Sequence, residues 1–142
     1  MKKLISLILV VCILLAACSP AGDDPVIEIT ERFFVNQMAE ILGNASRYLG
    51  RTIRLEGMFL TVDLPDGETF HMVYRLTDGC CGPIEPVGFE VHLDGMDPLP
   101  DDTWVEVTGI LERYEHNSLM IWRLHATSLT EMSQRGAEFV TR

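Results

Sequence analysis

RTIRLEGMFLTV, residues 51–62, sets Ile53, Leu55 and Phe59 at period two around an interior glycine, Gly57. That spacing predicts a half-buried strand, and a glycine inside a strand marks a bulge or a tight barrel bend. A second stretch, TWVEVTGILERY at 103–114, has the same design: Val105, Val107 and Gly109 alternate with Trp104, Glu106 and Thr108. Between them LPDGE, 64–68, is a turn and TFHMVYRLT, 69–77, a returning strand, so the first two strands form a hairpin. VGFEVHL at 87–93 reads as a third strand, DGMDPLPDD at 94–102 as a proline-rich loop, and EHN at 115–117 as the turn into a last strand, SLMIWRLHATSL. Five strands in a meander-like string, with glycines at matching places, predict a mainly β fold. The best fit is a small five-stranded barrel of the oligonucleotide/oligosaccharide-binding (OB) type, with a split sandwich as the alternative.

Outward from this core, VIEIT at 26–30 alternates and predicts a short strand. From Thr30 the period lengthens: Phe34, Met38, Ile41, Leu42, Ala45 and Leu49 make one apolar helical face, with Thr30 as cap and Gly50 as stop. This N-terminal helix is expected to cover the barrel core. The barrel domain is placed at 26–130, and the tail, 131–142, is expected to be a short helix or frayed.

The chain begins MKKLISLILVVCILLAACSP. Two lysines, an apolar run and the box LAAC resemble a bacterial lipoprotein signal peptide, cleaved after residue 17 so that Cys18 becomes the lipidated first residue. The apolar run from Leu4 to Ala17 is shorter than the roughly 20 residues a membrane span needs. Residues 18–25 then form a flexible tether, and the domain is expected in the cell envelope, anchored to a membrane on its extracytoplasmic side. Cys12 leaves with the signal and Cys18 carries lipid, so Cys80 and Cys81 are the free thiols of the mature chain.

Loss of residues 1–17 leaves nine basic residues, all arginine, against 21 acidic ones, a net charge of −12. That balance argues against a nucleic-acid partner, because phosphate binding depends on cationic side chains that release counterions. No Gly-x-Ser-x-Gly elbow, His-Glu-x-x-His pair or phosphate loop is present, and no catalytic residue is assigned. The acidic loops DLPDGE and DGMDPLPDD lack the spacing of a calcium loop and read as solvated turns. Trp104, Trp122 and Tyr114 either form a ligand-stacking patch or divide between core and surface.

The chemistry concentrates in DGCCGP, residues 78–83. Adjacent cysteines lack the intervening residues of a structural zinc pair, so they supply part of a site, completed by His71, His92 or Glu85. Thiolates favour zinc or copper(I). Outside the cytosol the two thiols can instead form a vicinal disulfide, strained and reducible or simply a rigid turn, between Gly79 and Gly82. In a further alternative both stay free and pack as small hydrophobes.

YLGRTIRLEGMF, YRLTDGCCGPIEPVGFEV and DDTWVEVTGIL, in that order, resemble an uncharacterised bacterial family with an OB-like domain and a Cys-Cys motif. The resemblance covers roughly residues 26–128. It implies association with predicted membrane permeases and, in some members, with zinc-responsive regulation. The expected function is therefore a lipid-anchored binding or accessory module, not an enzyme, handling zinc or copper for a permease or another envelope protein. The competing readings are a structural interaction module with a vicinal disulfide and a thiol redox protein.

Overall fold

The computed structural model describes residues 24–78 and 83–141, so Cys12, Cys18, Cys80 and Cys81 lie outside the described residues. Seven strands follow in order: β1 (Ile27–Ile29), β2 (Thr52–Asp63), β3 (Thr69–Asp78), β4 (Ile84–His92), β5 (Trp104–His116), β6 (Leu119–Glu131) and β7 (Phe139–Val140). The five long strands close on themselves as β2-β3-β4-β6-β5-β2, with β4 and β6 parallel through Glu90↔Arg123 to His92↔His125. This is the five-stranded OB barrel.

Closure depends on β2 serving two neighbours. Its first half pairs with β5 from Thr52↔Ile110 to Met58↔Trp104, and its second half pairs with β3 from Met58↔Tyr74 to Asp63↔Thr69. The handover falls beside Gly57, where a Cβ would stand 2.6 Å from the Tyr74 carbonyl oxygen. At Gly88, in the next strand pair, a Cβ would stand 2.1 Å from the Val73 carbonyl oxygen. No side chain fits at either place, so the strands approach only because both residues are glycine. The glycine of the fourth long strand marks a register shift, between Thr108 and Gly109.

The inward residues of every long strand, among them Ile53, Phe59, Val73, Phe89, Val107 and Leu124, form the core. A 3-10 turn (Glu31–Phe33) leads into α1 (Phe34–Gly43), which adds Phe34, Met38 and Ile41 to that core, and α2 (Ala45–Tyr48) adds Ala45.

Three expectations change. The single helix from Thr30 to Gly50 is broken at Asn44, and Leu42 and Leu49 are each 40% exposed. Thr30 makes no side-chain cap. Its N–H donates instead to Gln37 Oε1 at 2.9 Å, while Gln37 Nε2 donates to the Glu28 carbonyl, tying helix to β1. The tail is neither helical nor frayed. β7 adds to β3 in parallel at Leu76↔Phe139 and Thr77↔Val140, and Val140 is buried.

Candidate functional site

The β3–β4 hairpin carries the cysteine pair in its connection. Its last pairs are Thr77↔Glu85 and Asp78↔Ile84, so residues 79–83 join the strands, and Glu85 stands at the hairpin end, exposed. His71 and His92 do not join it. His71 pairs with Val91, seven residues up β3 from Asp78, and His92 ends β4. At the rise of a β-strand, seven residues span about 23 Å. Glu85 therefore stands at the end of the hairpin formed by Asp78 and Ile84, and both histidines stand toward its other end.

The histidines have other surroundings. His71 points inward, stacks on Phe59 at 5.4 Å and meets Thr61 Oγ1 at 3.2 Å through Nδ1. Burial pushes its pKa below the ordinary 6.5, with Asp101 opposing. The His92 ring lies 5.3 Å from the ring of His125, its register partner on β6.

His92 and His125 belong to a polar outer face on β4, β6 and β5. Because Phe89, Val91, Leu111 and Leu124 point into the core, Glu90, His92, Glu112, Tyr114, Arg123 and His125 alternate outward. They form one chain of contacts. Tyr114 donates its hydroxyl to Glu90 Oε1 at 2.6 Å, and its pKa is pushed up to about 12, first by burial of the phenol and then by that carboxylate. The Arg123 guanidinium lies 4.0 Å over the Tyr114 ring and donates to Glu112 Oε1 at 2.6 Å. Glu112 Oε2 is 3.7 Å from His125 Nδ1, and His125 Nε2 is 3.3 Å from Asp94 Oδ2. Beside this chain a cleft of about 310 Å³ opens between Leu64, Phe70, Tyr114 and Ile121.

Sequence reasoning singled out His92 but not Glu90, Glu112, Arg123, His116 or His125. A signal was present. Glu112, Tyr114 and His116 sit two apart, as do Arg123 and His125, and Glu90 and His92, a polar row at strand period.

The family model of the DUF1980 C-terminal domain matches residues 16–142. The chain belongs to the DUF1980 C-terminal domain family. Among curated proteins none matches it. Among solved structures, the N-terminal domain of PriB protein from Thermoanaerobacter tencongensis, described as dimeric, is similar over 58% of this chain and 97% of that one, with 19% identity and a TM-score of 0.34. The barrel assignment stands on the strand order instead. No helix among the described residues is long and apolar enough to cross a membrane.

In this DUF1980 C-terminal domain the three aromatics divide. Tyr114 is on the outer face, Trp122 is half-buried against the core, and Trp104 is buried beside Arg75. Arg75 is the buried charge that sequence reasoning passed over, 2% exposed. Its Nε donates to the Glu56 carbonyl at 2.9 Å, and its Nη1 donates to Glu31 Oε2 at 2.9 Å and to the Ala137 carbonyl at 3.0 Å. Phe34 and Trp104 hold the guanidinium at 5.0 and 4.8 Å from their ring centres. It joins helix entry, barrel and tail, which is a structural role.

Proposed function

We propose that the domain is a lipid-anchored, extracytoplasmic binding module that passes a soft metal ion, zinc or copper(I), to or from a membrane permease. Cys80 and Cys81 supply thiolates and Glu85 a carboxylate. The observation that supports this reading is the hairpin register: Asp78↔Ile84 closes the strands directly before the thiols, with Glu85 one pair behind. His71 and His92, about 23 Å along the strands, leave the set. Two thiolates and a carboxylate make an incomplete shell, which suits a carrier, because an open position admits the ligands of a receiving protein. The chain N-terminus supports the anchor through LAAC and Cys18.

The test uses full-length protein extracted from membranes. Labelled palmitate is followed, and copper(I), which prefers thiolates, is titrated against a free-thiol count. The expected result is label on Cys18 and one copper per chain, lost in the Cys80→Ser, Cys81→Ser variant. No copper together with no free thiol would replace this reading with the structural disulfide module.

A further inference from the structure

The described chain enters the barrel beside an apolar groove. Ile27 of β1, Phe33, Ile41 of α1 and Tyr48 line it, and its volume is about 290 Å³. Gln37 closes one side by bonding the β1 backbone at Glu28 and Thr30, so those groups are not open to an added strand. Phe33 is 52% exposed, and Val26, just before β1, is 45% exposed. Tyr48 lines the groove while its hydroxyl lies 3.4 Å from Oε1 of the exposed Glu40. An aromatic side chain with an apolar body and a wet tip suits a boundary between hydrocarbon and water.

Chain length limits what can cover this groove. Cys18, the residue that LAAC marks for lipid, stands six residues before Asp24, and six residues span at most about 22 Å. Arg51 holds Asp24 to the barrel at 3.3 Å, so an anchored Cys18 keeps this end of the molecule within that reach of the bilayer. A tether so short gives the lipid surface a high effective concentration at the groove. Charge agrees with lipid. The Arg32 guanidinium lies 5.3 Å over the Phe33 ring, and Arg47 precedes Tyr48. Among the described residues neither of these arginines has a carboxylate partner, whereas five others do. Unpaired guanidinium groups beside exposed apolar side chains match lipid phosphates above acyl chains.

We propose that the groove between β1 and α1 rests on the surface of the anchoring membrane, with Phe33 and Val26 entering the lipid and Arg32 and Arg47 on its phosphates. This rests on the lipid-anchor reading and adds to it the face that meets the bilayer. A chain of net charge −10 gains nothing from anionic lipid as a whole, so the contact is apolar and local, and zwitterionic lipid suffices. Contact through this face gives the barrel one orientation, with the β5–β6 turn distant from the lipid. Ile27 pairs with Ile53 and Ile53 with Gly109, and the His116↔Leu119 pair closes that turn seven residues, about 23 Å, farther along β5.

The test uses full-length protein, labelled with palmitate and reconstituted into phosphatidylcholine vesicles with or without bromine on the acyl chains. Bromine quenches tryptophan at short range. Phe33→Trp should lose at least about half of the fluorescence it adds to the parent's, because an interfacial side chain lies about 5–10 Å into the headgroup boundary. Leu119→Trp, at a position 66% exposed, should lose none. Tryptophan itself favours the interface, so Phe33→Trp is repeated with Arg32→Glu and Arg47→Glu, which should remove most of the quenching. Circular dichroism checks that each variant retains the barrel. Equal quenching at 33 and 119, or quenching untouched by the two arginine changes, overturns the proposal. A blue-shifted but unquenched Phe33→Trp also overturns it and makes a protein the occupant. Missing palmitate on Cys18 overturns the anchor reading and this contact with it, whereas label on Cys18 without quenching at 33 overturns the contact alone.

Discussion

Arg75 shows how a single charge can hold distant segments together. A buried guanidinium needs its donors satisfied, and here they reach a β2 carbonyl, a tail carbonyl and the Glu31 carboxylate. Glu31 returns the favour to the tail by accepting the Ala137 N–H at 2.8 Å. That backbone bond first, and the Arg75 hydrogen bond second, hold the Glu31 carboxyl below its ordinary 4.5. Because the folded value is depressed, the stabilisation is complete above pH 4.5 and is lost as pH falls through the folded pKa. Glu31 is half exposed, so Glu31→Gln should lower stability by about 1 kcal/mol at pH 7. Urea denaturation checks this at pH 7 and at successively lower pH below 4.5, where the difference between variant and parent should shrink. A constant difference across that range would show that the carboxylate charge contributes nothing.

At the scale of strands, close contact between β3 and β4 rests on an absent side chain. Gly88→Ala would drive a Cβ into the Val73 carbonyl, which as backbone cannot swing aside, and should cost about 2–3 kcal/mol. Gly43→Ala is the control. It meets nothing within 4 Å, and alanine's better helix propensity should raise stability by up to about 1 kcal/mol. Thermal unfolding of the two variants should therefore move in opposite directions. The strands themselves were legible, since period two and the turn residues of LPDGE and EHN are local signals, and all five long strands lie where the alternation predicts them. The break in the helix at Asn44 and the β7 pairing were not. Asn44 is a weak local signal against a continuous apolar spacing, and FV at 139–140 is too short to announce a strand that only the edge of β3 stabilises.

The whole molecule is a strongly acidic OB barrel, and acidity should decide which ligands it rejects. A labelled single-stranded oligonucleotide should show no anisotropy change up to about 100 μM protein at low salt, because phosphate binding needs a cationic groove. A salt-sensitive rise in anisotropy would show that a local arginine cluster overrides the net charge of −10. The sequence alone pointed to five strands that best fit a barrel, to its glycine bends, to an acidic chain and to the place of the thiol pair between two strands, all properties carried by neighbours in the chain. Tertiary structure decided which side chains meet. It set His71 and His92 far along the strands from the Asp78↔Ile84 pair, put His125 between Asp94 and Glu112, and brought His116 to Asp66 and Glu68. The reason is register: barrel closure sets which residue faces which across strands far apart in sequence, and a shift by one would turn each of these side chains to the other face.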